Sequence, residues 1–292
     1  MKAGGALGST MGKILWLASY PRSGNTWLRA FLHNYLRNSA QPHDINRLRE
    51  LTTLDSDARW YRMFDPRPCE SLTKEEAAAL RPKVHQAITQ SRPDTVFVKT
   101  HSALVVDRGT PTITSDCTAG AVYIVRNPLD VAVSYSVHYG VSLDEAVAAM
   151  NRPHNQSTAN QPNFVYEFFG SWSENVESWT ERETKGIHVI RYEDMREASD
   201  KTFGGVIEFL GLPVNPARLR RAIENSAFPI LQAQEKQAGF RERSLKSENF
   251  FRAGRSGEGR ERLDAAQIQS LCQAHEVQMR RFGYWPSADA TS

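Results

Sequence analysis

The chain has 292 residues, 40% of them hydrophobic, so it can bury a full core, and one large α/β domain is favoured over two small ones. Lys and Arg (36) barely exceed Asp and Glu (33), and the net charge of +3 does not by itself indicate nucleic-acid or membrane binding. No apolar run approaches the ~20 residues that a membrane span needs. Cys69, Cys117 and Cys272 form no C-x-x-C pair, which indicates neither a disulfide framework nor a zinc site and suits a reducing cytoplasm.

The two ends of the chain differ from its middle. Residues 1–12 are mostly small and contain no long apolar segment, so we expect a flexible leader and not a signal peptide. Residues 287–292 are predicted to be a frayed tail. No repeat or Pro/Ser-rich linker divides residues 13–286, which we expect to fold as one domain.

The first predicted element is a strand, a tight loop and a helix. Ile14 to Leu17 is an apolar run typical of a buried parallel strand, and Pro21 and Gly24 break it. From Asn25 onward the apolar residues recur at helical spacing. A loop that leads into a helix directs unpaired N–H groups and the positive end of the helix dipole at one point. This loop therefore predicts a phosphate or sulfate site.

The loop departs from the G-x-x-x-x-G-K-[ST] pattern of ordinary nucleotide-binding loops. Ser19 replaces the first glycine and Asn25 the lysine, while Gly24 and Thr26 match the pattern and Arg22 supplies the positive charge. YPRSGNTW resembles the YPKSGTTW loop of the cytosolic-type sulfotransferases, which binds the 5′ end of 3′-phosphoadenosine 5′-phosphosulfate (PAPS). The resemblance implies that the cofactor is bound by Arg22, Ser23, Gly24, Asn25, Thr26 and Trp27.

Gln41 to Pro93 is polar and contains several prolines, so we expect a long irregular loop over the core. Trp60, Tyr61, Met63 and Phe64 form an apolar cluster within it. Two interpretations stay open: the cluster is one wall of an acceptor pocket, or it only anchors the loop.

The second predicted strand, Thr95 to His101, ends in titratable residues. Ligands of open parallel sheets bind at the carboxyl ends of strands, so His101 is a candidate general base, although a structural histidine is the alternative. VKTHSAL resembles the family's K-T-H segment. The resemblance implies that His101 deprotonates the acceptor hydroxyl and that Lys99 supports the transferred group.

The third predicted strand, Ala121 to Arg126, precedes a helix that begins near Pro128. An arginine after a strand is a natural bidentate phosphate ligand, or else a solvated charge. The segment YIVRNPLDVAVSYSVHY resembles the family's R-N-P-x-D-x-x-x-S element, which implies that Arg126 and Ser134 hold the 3′-phosphate of PAPS.

The next predicted elements are a helix at Ser142 to Met150, a loop, a helix at Phe164 to Arg182 and a strand at Gly186 to Tyr192. RYEDM resembles the family's R-Y-E-D-M element, which implies that Tyr192 meets the adenine. Glu193 and Asp194 could also form a metal pair, but no further ligand lies at a suitable spacing, so we expect no metal.

Two helices are predicted next, at Phe203 to Leu212 and Pro216 to Ala227, followed by a basic loop at Lys236 to Arg262. ENSAF resembles the family's T-S-F element beside the adenine, which implies roles for Ser226 and Phe228. FFRAGRSGEG resembles the R-K-G-x-x-G-D-W element of the 3′-phosphate site. The last predicted helix runs from Asp264 to about Phe282.

Within FFRAGRSGEG, Arg252 and Gly254 match the family element, and Ala253 stands at its lysine. One phosphate contact is therefore missing or is replaced by Arg255.

Together these elements predict a P-loop-like, doubly wound parallel sheet with helices on both faces. The resemblance implies a PAPS-dependent sulfotransferase that acts on a hydroxyl of a small-molecule acceptor, without metal, nucleic acid or membrane span. A nucleotide-dependent kinase and a non-catalytic nucleotide-binding homologue are the alternatives.

Overall fold

A five-stranded parallel sheet is the centre of the computed structural model, which describes residues 12–157, 160–181 and 186–286. The predicted leader, apart from Gly12, and the predicted tail lie outside the described residues. The strands are β1 (Ile14–Ser19), β2 (Thr52–Leu54), β3 (Val96–Thr100), β6 (Thr118–Val125) and β7 (Ile187–Arg191), in the order β2-β3-β1-β6-β7. Two short strands, β4 (Val106–Asp107) and β5 (Thr110–Pro111), form a separate hairpin.

The middle strand β1 explains why both faces of the sheet are covered. Its residues alternate between two cores: Ile14, Trp16 and Ala18 pack on one side, and Leu15 and Leu17 pack on the other. Successive side chains of a strand point to opposite faces, so a continuous apolar run has to be covered twice. This confirms the predicted doubly wound sheet.

Helices supply the cover. The described residues contain α1 (Asn25–Arg37), α2 (Ala58–Tyr61), α3 (Lys74–Gln90), α4 (Pro128–Tyr139), α5 (Leu143–Asn151), α6 (Trp172–Thr180), α7 (Tyr192–Glu197), α8 (Ser199–Phe209), α9 (Pro216–Asn225), α10 (Phe228–Ala238), α11 (Glu258–Arg262) and α12 (Ala265–Arg281). The core that contains Leu15 is completed by α1, α7, α8 and α9. The core that contains Trp16 is completed by α2 to α6 and α12.

The prediction of a long irregular loop from Gln41 to Pro93 is wrong. The segment contains 3₁₀ turns at Ile45–Glu50 and Cys69–Ser71, the edge strand β2, and the 17-residue helix α3. A reciprocal capping box between Thr73 and Glu76 starts α3, and the helix continues through Pro82. Proline is unfavourable inside helices, so Pro82 is a signal against a helix in this segment.

The predicted helix from Phe164 to Arg182 is too long. The observed helix α6 begins only after Ser171, whose hydroxyl accepts a hydrogen bond from the Glu174 N–H in a second capping box. Phe164 instead pairs with Gln161 in an isolated bridge, and Arg182 lies outside the described residues. The aromatic stripe is core packing, as expected, but it is only partly helical. Helix α10 is absent from the prediction, because its first residue, Phe228, belongs to the ENSAF segment, which is interpreted as a binding motif.

Candidate active site

The loop between β1 and α1 has the predicted shape of an anion site. Gly24 is the residue before α1 and has a φ of 106°, and no side chain caps this helix end among the described residues. A Cβ atom on Gly24 would lie 2.6 Å from the Tyr192 ring, so only glycine fits here without a shift. The first N–H groups of α1 are therefore left for an external acceptor.

Arg22 is fixed by four contacts. Its Nε donates to Ser134 Oγ (3.1 Å), its Nη1 to His138 Nδ1 (3.3 Å) and its Nη2 to the Phe250 carbonyl (3.3 Å), and its Cζ lies 4.2 Å from the centre of the Phe250 ring. Burial lowers the pKa of Arg22 to about 10, which still leaves it charged at neutral pH. The backbone of Arg22 has a positive φ of 69°, a conformation rare outside glycine.

Asn25 does not replace the cation of an ordinary nucleotide-binding loop. Its amide Nδ2 donates to the Leu17 carbonyl at 2.8 Å and lies 3.4 Å from Ser19 Oγ, so the side chain ties the loop to the end of β1. Thr26 lines the cavity beside it. The buried Ser23 Oγ has no hydrogen-bond partner in the part of the chain that is described, and Ser23 does not line the cavity.

His101 follows β3 and is held in one tautomer. Its Nδ1 donates to the Ser19 carbonyl at 2.8 Å, which leaves Nε2 unprotonated, as assigned from this hydrogen bond. Its backbone N–H donates to Glu167 Oε1 at 3.1 Å. Burial, and next the charge of Lys99, hold the pKa of His101 well below its usual value. The imidazole is therefore neutral at pH 7 and can accept a proton.

Lys99, two residues before His101, lines the same cavity. Its ammonium makes no hydrogen bond to the described residues; burial lowers its pKa, while the nearby Glu242 charge opposes that shift. A desolvated ammonium that makes no hydrogen bond is suited to bind an anionic group that enters the cavity.

Arg126 connects two loops. Its Nη1 donates to the Arg22 carbonyl (3.0 Å) and its Nη2 to the Arg255 carbonyl (3.4 Å), while its buried Nε has no partner among the described residues. Its Cζ lies 4.2 Å from the centre of the Tyr192 ring. Ser134, expected beside Arg126, accepts the hydrogen bond from Arg22 instead.

Aromatic rings form the other end of the cavity. Trp27 and Tyr192 pack edge to face, with ring centres 5.8 Å apart, and the buried Trp27 Nε1 has no partner among the described residues. Gly254 passes so close to Phe228 that a Cβ atom would lie 2.4 Å from the ring. Ser226, the residue after α9, is fully buried, donates to the Ala222 carbonyl of that helix and does not line the cavity.

The basic segment supplies fewer free cations than the sequence suggests. Arg252 forms an ion pair with the buried Glu258, and Arg255 forms one with Glu261 at the surface. Ala253 lines the cavity without a charged group. The Asp130 carboxylate accepts hydrogen bonds from the N–H groups of Gly257 (2.9 Å) and Gly259, which fixes the segment to α4.

One cavity is lined by all the predicted site residues except Ser23 and Ser226. Sequence reasoning missed other lining residues, among them His138, Tyr139, Glu242, Phe250 and Glu258. His138 could have been found, because it lies four residues after Ser134 and therefore on the same helical face. No local signal marks Glu242.

The assembly of these motifs in one cavity agrees with a comparison of the whole sequence. A family model described as sulfotransferase domain matches residues 13–283. The chain belongs to the sulfotransferase family. The match begins just before β1 and ends beyond α12.

Individual relatives of this sulfotransferase chain are distant. Sulfotransferase 2A1 of Macaca fascicularis is 27% identical over 173 residues, which are 55% of this chain and 56% of that protein, so the match spans little more than half of the relative. Sulfotransferase 2A2 of Mus musculus is 21% identical over 286 residues, 92% of this chain and 85% of that protein.

Two solved structures have the same fold. Mouse sulfotransferase SULT7A1 complexed with PAP superposes with a TM-score of 0.61 at 18% identity, covering 93% of this chain and 86% of that one. Retinol dehydratase in a complex with retinol and PAP superposes with a TM-score of 0.60 at 17% identity, covering 91% of this chain and 81% of that one.

Outside the cavity, His33, His43 and Glu50 bring three metal-ligating groups within 4.8 Å of one another. Both carboxylate oxygens of Glu50 are already bound, by Arg47 and by Arg37, so this group does not alter the expectation of a metal-free protein. None of the helices in the described ranges combines the length and apolar character required to cross a bilayer.

Glu242 anchors the basic segment at the wall of the cavity. Its carboxylate accepts two hydrogen bonds, of 2.7 and 2.8 Å, from the fully buried Arg29. Burial opposes its ionisation, but the Arg29 charge and hydrogen bonds prevail and lower the pKa of Glu242 from 4.5 to about 2. This contribution to stability is present above pH 4.5 and is lost as the pH falls toward 2.

We therefore expect Glu242→Gln to lower the free energy of unfolding by about 2–3 kcal/mol at pH 7, because the charged Arg29 keeps only a neutral partner. Urea unfolding at pH 7, 5 and 3 measures this difference, which should shrink below pH 4.5. Glu248→Gln, in the same segment but exposed, is the control and should have little effect. A difference that stayed constant down to pH 3 would contradict the assigned ion pair.

Proposed function

We propose that this protein transfers the sulfuryl group of PAPS to a hydroxyl group of a small-molecule acceptor. The observation that carries the proposal is the presence, in one cavity, of an anion loop, the Lys99 ammonium and the unprotonated Nε2 of His101. An anionic donor and a hydroxyl acceptor need these three features together.

The residues fit a nucleotide with phosphates on both sides of the ribose. Trp27 Nε1 and Arg126 Nε are buried donors without partners among the described residues. Gly24 and Gly254 allow backbone to approach where any side chain would collide with Tyr192 or Phe228. Unpaired donors and a narrow aromatic slot are features of a site built to hold a polar, planar ligand.

PAPS, when bound, supplies the activated sulfuryl group on its 5′-phosphate. Trp27, Tyr192 and Phe228 would hold the adenine, and Arg126, Ser134, Arg252 and Gly254 would hold the 3′-phosphate. Arg22, Thr26, Lys99 and the N–H groups at the start of α1 would stabilise the charge that develops on the 5′-phosphate. His101 Nε2 would take the proton of the acceptor hydroxyl.

Residues 13–286 constitute the proposed catalytic domain. A small hydroxylated acceptor is consistent with retinol dehydratase, which has been solved in complex with retinol and with androsterone. The three cysteines are free thiols, which suits our assignment of the protein to the reducing cytoplasm.

The kinase alternative is not favoured by this cavity. The residue at the lysine position, Asn25, is bonded to the Leu17 carbonyl and contributes no charge. A non-catalytic nucleotide-binding homologue would give Lys99 and His101 no reason to face the loop. Release of adenosine 3′,5′-bisphosphate from PAPS across a panel of alcohols and phenols tests for catalysis and identifies the acceptor class.

The nucleotide site predicts a preference for adenosine 3′,5′-bisphosphate over AMP and ATP, measured by calorimetry. Arg126→Ala should weaken bisphosphate binding by about 2 kcal/mol, the lower end of the range for a buried charge pair, because Arg252 remains nearby. The affinity for AMP, which lacks the 3′-phosphate, should fall much less in this variant. Arg220→Ala, at an exposed position in the middle of α9, is the control. Equally tight, Mg²⁺-dependent ATP binding would favour the kinase alternative.

A further inference from the structure

The Arg22 side chain is held more firmly than binding an anion alone requires. A guanidinium has five N–H groups in one plane. Three of them are used by Ser134, His138 and Phe250, one on each nitrogen, and the Phe250 ring covers one face. The position and rotation of the plane are therefore determined, and two N–H groups remain for a ligand.

The contact with His138 defines the chemistry of that histidine. Arginine can only donate, so His138 Nδ1 must be an unprotonated acceptor and the ring proton must lie on Nε2. Burial, and next the charges of Arg22 and Lys99, lower the pKa of His138 to about 3. His138 therefore remains a neutral acceptor at neutral pH.

The helix α4 places the two side-chain acceptors together. Ser134 and His138 are four residues apart, so they lie one above the other on the face that lines the cavity. The Arg22 backbone has a positive φ, which non-glycine residues keep only when their surroundings impose it. The acceptors on α4 and the Phe250 carbonyl provide that constraint from outside the loop.

We infer that His138 is a positioning residue: its Nδ1 holds the Arg22 guanidinium so that the two remaining N–H groups face the 5′-phosphate of the nucleotide. The inference rests on the proposed function. A lysine at position 22 would offer a compact ammonium that needs no orientation, whereas a planar guanidinium acts only in the correct plane. His138 thus allows Arg22 to bind the 5′-phosphate at a loop position where the cytosolic-type sulfotransferases have lysine.

A double-mutant cycle tests the inference, with calorimetric binding of adenosine 3′,5′-bisphosphate as the readout. His138→Phe keeps a ring but removes the acceptor, and we expect binding about tenfold weaker. His138→Gln offers an amide oxygen and should stay within about threefold of wild type. In the Arg22→Ala background, His138→Phe should change the affinity by less than about twofold, because its partner is absent.

A histidine that does not line the cavity is the matched control. His188 lies in β7, and His188→Gln should leave bisphosphate affinity unchanged. Melting temperatures verify that each variant folds, and His138→Leu replaces His138→Phe if the latter does not. Equal losses in the wild-type and Arg22→Ala backgrounds would overturn the role of His138. Failure of the wild-type protein to bind the bisphosphate would instead overturn the proposed function, and this inference with it.

Discussion

Replacing His101 with alanine is expected to lower kcat by about 10²–10⁴-fold, the usual contribution of general-base catalysis. The unprotonated Nε2 would no longer be available to take the acceptor proton, while the nucleotide contacts would be intact. Bisphosphate affinity, measured by calorimetry, should therefore be nearly unchanged. The loss should appear in kcat with an aliphatic alcohol as acceptor.

Acceptor acidity and pH separate this role from a structural one. A phenol that is already ionised needs no base, so activated phenols should lose less activity than alcohols in His101→Ala. Because the pKa of His101 lies well below 6.5, the wild-type enzyme should keep its activity from pH 7 down through pH 6.5 and lose it only in more acidic solution. A folded variant that turned over an alcohol at the wild-type rate would remove His101 from the mechanism.

Arg22→Ala is expected to lower kcat by about 10²–10³-fold, as found when one preorganised donor to a developing negative charge is removed. Arg22 remains charged at neutral pH, so it acts as a fixed electrostatic donor. Arg22→Lys keeps the charge and should stay within about tenfold of wild type. Initial rates of sulfuryl transfer at saturating PAPS measure both effects.

Arg221→Ala is the matched control, since Arg221 lies on α9, far along the chain from the loop, and contacts Asn38. Its rates should equal those of the wild type. Equal rates for the wild-type and Arg22→Ala proteins would show that the loop cation takes no part in the reaction. A lysine variant as slow as the alanine variant would show that shape, and not charge, is what Arg22 provides.

The sequence predicts most of this site because its motifs are local. Arg22, His101 and Arg126 each lie just after a strand, and parallel strands bring their carboxyl ends to one edge of the sheet. Apolar spacing and the positions of proline and glycine are enough to predict the strand β1, the helix from Asn25 and the place of His101 at a strand end. These features need no knowledge of distant contacts.

What the sequence does not predict depends on tertiary contacts. Helix α3 continues through Pro82 because its buried face packs against the core, and packing overrides local propensity. The orientation of Arg22 is set by Phe250, 228 residues later in the chain. Glu242 forms its ion pair with Arg29 across 213 residues. Neither contact can be predicted from the spacing of residues near each other in the sequence.

These distant contacts have a consequence for biosynthesis. Synthesis proceeds at ~5–20 residues per second, so about 10–45 s pass between the appearance of Arg22 and that of Phe250. Until then β1 and α1 can form, but Arg29 has no Glu242 beside it and Arg22 lacks one of its acceptors. The nascent chain therefore carries Arg29 without its carboxylate partner and Arg22 without one of its three acceptors, on a nearly finished sheet. Completion of the cavity is among the last events of folding on the ribosome.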